Sequence, residues 1–248
     1  MGNYGEGAPP SGTTSFQLTP RTIIDAGTVF KFFDGSPADI ENVILSHSHL
    51  DHLLELPFLI DATFSERKRS LRLFGERSTL RAVRENLFND SIWPDFTSIE
   101  LPVGRPALEL VEIREGRAFR LDGLTFKPFR ANHSVPTLGF IVEGEGGAFA
   151  LSGDTFVSPD LQRVLNLNPH VEYLFVDVSF PSSQRERARE SLHLTPELLV
   201  EELSSLRRRL RGIFVYHGKP FYLEELRQEL SYLLPRARLL IGGESLDF

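Results

Sequence analysis

The sequence predicts an α/β fold with mixed β-sheets, built as one domain over residues 1–248. Short apolar runs of strand length alternate along the chain with segments of helical period. Several of these runs end directly in a histidine or an aspartate. Strands that release polar side chains at one edge of a sheet are how α/β folds assemble sites. No internal repeat, linker or low-complexity segment divides the chain.

Strands are predicted where apolar residues run together or alternate with polar ones. They cover residues 21–24, 43–45, 71–75, 108–113, 124–129, 138–142, 148–151, 173–178, 213–215 and 239–241. Gly146-Gly147 signals a hairpin between two of them. Residues 1–20, which hold several Gly, Pro, Ser and Thr, are expected to form a loop or a frayed start.

Helices are predicted over residues 51–66, 161–167 and 222–233, and after Ser78, which can cap a helix that carries Leu80 and Val83. Pro57 is expected to bend the first of them, because proline removes a backbone donor. Thr195-Pro196-Glu197 gives a cap, a proline at the first helical position and an early acidic residue, and so predicts another helix.

That last helix is expected to continue through a basic run. Its apolar stripe is formed by Leu199, Leu203, Leu206 and Leu210. Arg207, Arg208, Arg209 and Arg211 would then spread around its exposed arc as a solvated face rather than a binding patch.

The composition is that of an ordinary soluble globular protein, with 41% hydrophobic and 25% charged residues. No apolar run approaches the roughly 20 residues that cross a bilayer, so no membrane partner is expected. The N-terminus lacks the basic and apolar regions of a signal peptide, which favours the cytoplasm, although a processed periplasmic form would look the same. The net charge of −7 argues against a nucleic-acid partner, because phosphate binding depends on a positive surface.

Residues 46–52 concentrate metal-binding side chains directly after the apolar run 43–45. His47, His49, Asp51 and His52 fall within six positions. The chain has no cysteine, so any metal site must use nitrogen and oxygen ligands. Imidazole and carboxylate suit a divalent transition metal. The alternative, a solvated turn rich in histidine, is disfavoured by four ligands of two types at such close spacing.

Five further polar side chains follow apolar runs in the same way. They are Asp25, His133, Asp154, Asp177 and His217. The alternatives are a loop histidine at His133 or His217 and a turn aspartate at Asp154, because Gly-Asp is common turn chemistry. Asp25 and Asp177 are expected to support the ligands or the fold rather than to bind metal.

This set of residues resembles the metal-binding pattern of the metallo-β-lactamase superfamily. The resemblance implies a four-layer αββα sandwich, in which two mixed β-sheets flanked by helices carry the site at one edge. It also implies two divalent metal ions, with zinc expected first and manganese or iron as alternatives. His47, His49 and His133 would bind the first ion, Asp51, His52 and His217 would bind the second, and Asp154 would bridge them.

Finer matches resemble the class II cyclic-nucleotide phosphodiesterases, a 3′,5′-cAMP phosphodiesterase family, over nearly the whole chain. They are the segments 49–52, 86–96, Asn132-His133-Ser134-Val135-Pro136, Ser179-Phe180-Pro181, His193-Leu194-Thr195-Pro196 and 217–220. The chain departs from that family at its N-terminus, where the opening strand before the Gly-rich loop is missing or reduced.

The resemblance implies a metal-dependent phosphodiesterase acting on a small molecule. A hydroxide held between the two metal ions would attack phosphorus, and a 3′,5′-cyclic nucleotide would be hydrolysed to a 5′-monophosphate. Asp51 and His193 are the candidate catalytic residues, with His193 placed to contact the phosphate or to protonate the leaving oxygen. Trp93 and Tyr222 are candidates for stacking on the base, as is Phe96.

Two other functions stay open. A tRNA 3′-processing endonuclease of the ribonuclease Z type shares the metal set, but such enzymes generally carry a long basic arm in an interval that here holds only residues 134–153. A non-catalytic metal-binding protein of the same fold is the other, although such proteins lose ligands readily. The sequence leaves a homodimer open as an alternative to a monomer.

Overall fold

The computed structural model describes residues 12–246 of the 248-residue chain. The described chain forms two compact units, one from Gly12 to Arg114 and one from Glu115 onward. The loop predicted for residues 1–20 falls partly on residues 1–11, which lie outside the described residues. Its remaining part includes a short strand that the sequence analysis missed. The single domain over residues 1–248 stays a prediction.

The first unit contains a five-stranded sheet whose strand order follows the chain. Its first pair of strands is antiparallel and the other three pairs are parallel, so the sheet is mixed. The strands are β1 (Phe16–Gln17), β2 (Thr22–Ile24), β3 (Asn42–Ile44), β4 (Leu71–Gly75) and β5 (Leu108–Glu112). Because β2 and β3 are parallel, the residues that follow them leave the sheet at the same edge.

Two α-helices belong to this unit, α1 (Leu56–Thr63) and α2 (Arg77–Asn86), and a 3-10 turn covers Leu50–His52. The single helix predicted over residues 51–66 is therefore wrong. Pro57 does not bend a helix but lies in the first turn of α1, where its missing N–H has no partner to lose. Ser78 lies inside α2 and Glu76 precedes the helix, so the predicted serine cap is also wrong.

The second unit contains a seven-stranded sheet in the order β12-β11-β10-β9-β8-β7-β6. The pairs from β9 to β12 are parallel and those from β6 to β9 are antiparallel. The strands are β6 (Phe119–Leu121), β7 (Leu124–Ala131), β8 (Thr137–Gly144), β9 (Gly147–Leu151), β10 (Tyr173–Asp177), β11 (Gly212–Tyr216) and β12 (Ala237–Leu239). Two antiparallel steps make β7 run with β9, so β7, β9, β10 and β11 all end at one edge.

Four α-helices complete this unit. They are α3 (Pro159–Leu167), α4 (Arg185–Ser191), α5 (Pro196–Leu203) and α6 (Leu223–Leu233). The predicted start of α5 is confirmed, because Thr195 Oγ1 accepts a hydrogen bond from the N–H of Leu198 at 3.3 Å. The predicted length is wrong. The helix ends at Leu203, so Leu206, Leu210 and the arginine run lie outside it.

Both sheets bury an apolar core on their helix-covered side. Residues of β2, β3 and β4 and of α1 and α2 form the core of the first unit, and residues of β9 to β11 and of α3, α5 and α6 form that of the second. The predicted α/β class with two mixed sheets flanked by helices is confirmed. In the described part of the chain, no helix is long and apolar enough to cross a membrane.

Candidate functional site

In the first unit, the ends of β2 and β3 bring a buried polar cluster together. Asp25 follows β2 directly and has a left-handed backbone with φ of 58°. A non-glycine residue in that region costs about 1–2 kcal/mol, which the surrounding structure must offset. The turn points the Asp25 carboxylate back at the residues that follow β3. Its Oδ1 accepts the N–H of Ser46 at 2.8 Å, and its Oδ2 accepts the hydroxyl of Ser46 at 2.8 Å.

Asp25 also fixes the histidines of this cluster. Its Oδ2 lies 2.7 Å from Nδ1 of His52, so that nitrogen carries the proton and donates it. The Ser46 hydroxyl already donates to Asp25, so its oxygen accepts from Nδ1 of His47 at 2.9 Å. In both rings the Nε2 atom then carries the lone pair, which is the tautomer that binds a metal through Nε2.

His47 is the centre of this histidine group. Its ring centroid lies 4.6 Å from that of His49 and 4.1 Å from that of His52. His47 and His52 are fully buried, whereas His49 and Asp51 are partly exposed. Asp51 lies in the 3-10 turn beside His52. The first unit therefore gathers His49 and His52 around His47, with Asp25 beneath His47 and His52 and with Asp51 next along the chain.

In the second unit, four buried side chains form a compact group at the ends of β9, β10 and β11. Ligand atoms of Asp154, Asp177, His193 and His217 all lie within 4.8 Å of one another, and the group could hold a metal ion. His217 directly follows β11 with φ of 68°, again a left-handed conformation. Its Nε2 lies 3.4 Å from Oδ2 of Asp154.

Asp177 is the hydrogen-bond acceptor at the centre of this group. Its Oδ2 lies 2.6 Å from Nδ1 of His193 and accepts the N–H of Thr155 at 3.0 Å, and its Oδ1 accepts the hydroxyl of Ser179 at 2.8 Å. Burial alone would raise the pKa of Asp177, but the charge and hydrogen bond of His193 hold that pKa well below its usual range. Asp177 is therefore ionised at neutral pH.

Ser179 links Asp177 to a second histidine. Its hydroxyl donates to Asp177, so its oxygen accepts from Nδ1 of His217 at 2.8 Å. The Nε2 atom of His217 then carries the lone pair. The two units thus use the same local design, in which one buried aspartate binds one histidine directly and a second through a serine. Asp25 does so with His52 and with His47, and Asp177 does so with His193 and with His217.

His133 is held differently, by a backbone carbonyl. Its Nδ1 donates to the carbonyl oxygen of Leu192 at 3.1 Å, and Leu192 has a left-handed backbone with φ of 57° after α4. Burial lowers the pKa of His133, which favours the neutral imidazole that metals bind. The ring centroid of His133 lies 5.0 Å from that of His193, and the ring of His193 stacks on His217, also at 5.0 Å.

The three aromatic candidates for base stacking lie in different surroundings. Phe96 is only 4% exposed and belongs to the core of the first unit, so the suggestion that it stacks on a base is wrong. Trp93 is half-buried, and its ring meets that of Phe58 edge-on at 5.2 Å. Tyr222 is half-buried and lies 6.0 Å from the ring of Phe180, which is itself 6.2 Å from His193.

Sequence reasoning did not assign a role to three residues that position the candidate ligands. They are Ser46, Ser179 and Leu192. A signal was present for Ser46, which directly precedes His47, and for Ser179, which stands two residues after Asp177. Nothing in the sequence marks Leu192, because its contribution is a backbone carbonyl presented by a left-handed turn.

The donor set fits a divalent transition metal. It offers imidazole nitrogens and carboxylate oxygens without thiolate, and second partners fix the Nδ1 atoms of His47, His52, His133 and His217. Histidines that ligate metals almost always donate their other nitrogen in this way, to a carboxylate, a carbonyl or water. Clusters of such side chains therefore support divalent metal binding by this chain.

Comparison with known proteins identifies the family. A family model described as "Beta-lactamase superfamily domain" matches residues 23–215. The chain belongs to the β-lactamase superfamily. A solved structure, the metallo-β-lactamase fold protein YhfI from Bacillus subtilis, superposes with a TM-score of 0.78 at 15% identity, over 98% of this chain and 95% of that one. The predicted metallo-β-lactamase fold, an α/β sandwich, is thus confirmed.

Two further solved structures share the fold. Unliganded yeast PDE1 matches with a TM-score of 0.67 at 22% identity, over 83% of this chain and 68% of that one. The short form of human tRNase Z, ELAC1, matches with a TM-score of 0.70 at 17% identity, over 98% of this chain and 95% of that one. At these identities the likeness is one of fold.

Among the sequence relatives are proteins named cyclic-nucleotide phosphodiesterase and proteins named ribonuclease Z. A 3′,5′-cyclic-nucleotide phosphodiesterase of Candida albicans is 27% identical over 53% of this chain and 31% of its own length. A probable 3′,5′-cyclic-nucleotide phosphodiesterase of Yersinia pestis is 23% identical over 79% and 57%. A ribonuclease Z of Methanococcus maripaludis is 31% identical over 44% and 34%. The chain thus spans less than two thirds of each relative, and the stated resemblance to cyclic-nucleotide phosphodiesterases is confirmed as a resemblance.

Proposed function

We propose that this chain is a metal-dependent phosphodiesterase that hydrolyses 3′,5′-cyclic nucleotides to 5′-monophosphates. The observation that carries the proposal is the buried group of Asp154, Asp177, His193 and His217. It combines candidate metal ligands with a histidine whose Nδ1 is committed to a carboxylate. That combination suits proton transfer to a leaving oxygen beside a metal-activated phosphate.

The proposed ligands are the seven side chains of the sequence pattern. They are His47, His49, Asp51, His52, His133, Asp154 and His217. We expect two divalent ions, zinc first and manganese or iron as alternatives. When bound, such ions activate water as a nucleophile and neutralise the charge that develops on a phosphoryl group. Asp25 and Asp177 would hold the ligand tautomers through the hydrogen bonds described above, and Asp51 is proposed as a catalytic residue as well as a ligand.

His193 is proposed to act on the substrate rather than to complete a metal site. Because Nδ1 of His193 donates to the ionised Asp177, the ring presents its Nε2 edge. A proton on Nε2 could pass to the 3′-oxygen that leaves when the cyclic diester opens, and the negative charge of Asp177 would stabilise the imidazolium that carries it. His193 is only 6% exposed, so water competes little for that proton.

Substrate contacts by the aromatic side chains remain part of the proposal. Tyr222 is connected to His193 through Phe180, and its hydroxyl accepts from Nη1 of Arg187 at 3.1 Å. Trp93 is held edge-on by Phe58. Base–aromatic stacking contributes about 1–3 kcal/mol per base, so each ring could add measurably to the affinity for a nucleoside.

A tRNA 3′-processing endonuclease is the second candidate, favoured by the ribonuclease Z relatives and the fold likeness to human tRNase Z. The interval in which ribonuclease Z enzymes generally carry their arm is filled here by β8 and β9. The strands are joined by a turn of two residues, Glu145 and Gly146, and pair as far as Gly144 with Gly147. This interval has no room for an arm, which supports the cyclic-nucleotide assignment.

One assay distinguishes the two candidates. Purified protein, reloaded separately with zinc and with manganese, is incubated with cAMP, cGMP, bis(p-nitrophenyl) phosphate and precursor tRNA. We expect 5′-monophosphate from a cyclic nucleotide and weak action on the chromogenic diester. Cleavage of precursor tRNA with cyclic nucleotides untouched at millimolar concentration would show that the substrate assignment is wrong.

Elemental analysis tests the metal part of the proposal by itself. We expect close to two transition-metal ions per chain and the loss of at least one in Asp154→Ala. Asp34→Ala, which removes an exposed aspartate of the first unit, is the control and should keep the wild-type content. Wild-type protein that stays metal-free after growth in supplemented medium would contradict two-metal binding.

A further inference from the structure

A groove in the second unit lies away from the candidate metal ligands. It has a volume of about 490 Å³ and is lined by the end of α5, the segment that follows it, the start of β11 and the end of α6. Ile213 lines it at the start of β11, whereas His217 follows the other end of that strand. The two residues are four positions apart along the extended chain, a distance of roughly 13 Å. A ligand in the groove would therefore not touch the reacting atoms.

The floor of the groove is apolar, and part of it is formed by the segment that follows the end of α5 at Leu203. Leu206 lies beyond the last helical residue, Leu203, and both pack with Ile213 and Leu234 against the core while remaining partly exposed. Leu233 and Pro235 complete the apolar wall. A volume of this size falls within the roughly 300–1,000 Å³ of pockets that take small organic molecules.

The rim of the groove is basic. Arg208, Arg209 and Arg236 line it, and none of its lining residues is acidic. Arg208 is committed to the fold, because its Nη2 donates to the backbone carbonyls of Asn168 and Val171. Arg209 and Arg236 are exposed, and within residues 12–246 neither side chain has a hydrogen bond or an ion pair. Two guanidinium groups without a counter-charge among the residues that line the groove thus stand beside an apolar floor, although the net charge of the chain is −7.

From this combination we infer a binding site for an amphipathic carboxylate, a medium-chain fatty acid or a molecule of that chemistry. The planar guanidinium fork of Arg209 or Arg236 matches a carboxylate with two parallel hydrogen bonds. The alkyl chain would cover Leu203, Leu206 and Ile213 and remove their exposed apolar surface from water. Of the arginine run, Arg209 would thus bind a ligand, whereas the sequence analysis interpreted the whole run as a solvated helix face.

Calorimetric titration of the full chain with unbranched carboxylates tests the inference. We expect saturable binding of decanoate, with affinity that rises roughly fourfold for each methylene from octanoate to decanoate, the value for about 0.8 kcal/mol per buried CH₂. Decyltrimethylammonium has the same alkyl chain but the opposite charge, and it should not bind. No saturable binding of decanoate up to millimolar concentration, or equal binding of the cation, would overturn the inference.

Paired arginine variants locate the site. Arg209→Gln with Arg236→Gln should lower the affinity for decanoate at least tenfold. Arg207→Gln with Arg238→Gln removes the same charge from two exposed arginines, each two residues along the chain from Arg209 or Arg236, that do not line the groove. That control should change the affinity less than twofold. Equal losses in both double variants, or no loss in either, would show that the groove does not recognise the carboxylate. The result is independent of the proposed hydrolase activity.

Discussion

Nδ1 of His193 lies 2.6 Å from Oδ2 of Asp177, and both side chains are buried. Asp177 also accepts hydrogen bonds from the hydroxyl of Ser179 and the N–H of Thr155, so three donors fix the position of its carboxylate. Such a carboxylate sets both the tautomer and the orientation of the imidazole that it holds. The Nδ1 atom of His193 is therefore held by Asp177, and its Nε2 atom is the one that could transfer a proton.

His193→Ala tests whether that atom takes part in catalysis. The variant should keep its metals and its fold, because the seven proposed ligands remain, while kcat falls by roughly 10²–10⁴, the range for losing a positioned acid. Metal content and circular dichroism are measured beside the kinetics. His170→Ala removes an exposed histidine that pairs with Glu143 and should leave kcat unchanged. Full activity with both metals bound would make His193 a structural residue, and loss of metal would make it a ligand.

Ser46→Ala tests the link between Asp25 and His47. Without the hydroxyl, Nδ1 of His47 loses its acceptor and the tautomer is no longer fixed. Loss of such a supporting partner typically lowers metal affinity about 10–100-fold. Competition with a chelator measures the affinity directly. Ser48→Ala is the matched control two residues away, because Ser48 is partly exposed and its side chain holds none of the histidines. Equal affinity in the two variants would refute the role of Ser46.

The sequence could mark residues of the candidate site because several of them stand at strand ends. An apolar run marks a buried strand, and the polar residue after it has to leave the sheet at a known edge. Asp25 and His217 directly follow β2 and β11, and Asp177 is the last residue of β10. The links between them could not be predicted. Asp25 and Ser46 are 21 residues apart, and Ser179 and His217 are 38 apart, so only the folded chain brings each pair together.

Helix boundaries were predicted less well, and for identifiable reasons. Pro57 was interpreted as a bend inside a long helix, although proline is favoured in the first turn and marks where α1 begins. The helix α5 was predicted to continue through Leu206 because this leucine extends the apolar stripe. That prediction overlooked Ser204 and Ser205, whose hydroxyls compete with the helix for hydrogen bonds to backbone groups. Ser204 Oγ does so, donating to the carbonyl of Glu201 at 2.7 Å where α5 ends.

Gly27→Ala tests how closely the 3-10 turn Leu50–His52, which holds two proposed metal ligands, packs on the chain after β2. A Cβ at Gly27 would lie 2.1 Å from the carbonyl oxygen of Asp51 and 2.6 Å from that of Thr14, and neither backbone can move freely. The N–H of the neighbouring Ala26 also donates to the carbonyl of His52 at 2.8 Å. We expect a loss of stability of about 1–3 kcal/mol and a lower metal content.

The control for Gly27→Ala is a glycine replaced without a clash. At Gly116 a Cβ would meet nothing within 4 Å, although φ of +71° makes alanine strained there. Gly116→Ala should cost about 1–2 kcal/mol of stability and leave the metal content unchanged. If Gly27→Ala also kept full metal content, the turn after His49 would not depend on this contact.

Glu202 makes the stability of the second unit depend on pH. This residue is 1% exposed, and its Oε2 accepts the N–H of Ser158 at 3.1 Å, just before α3. Burial raises the pKa of Glu202 from 4.5 to about 7. A raised pKa in the folded state means that the protonated form stabilises folding. The contribution is complete below about pH 4.5 and is lost as the pH rises to about 7.

Glu202→Gln removes this titration while keeping an amide oxygen that can accept the same hydrogen bond. Unfolding by urea at pH 5, 6, 7 and 8, with metal removed by chelator, should show the variant gaining on the wild type as the pH rises. The shift in relative unfolding free energy should be roughly 2 kcal/mol across that interval, since one pKa unit corresponds to about 1.4 kcal/mol and part of the titration lies below pH 5. Glu190→Gln, at an exposed glutamate of α4, should follow the wild type at every pH. A Glu202→Gln curve parallel to the wild type would mean that Glu202 does not titrate in this range.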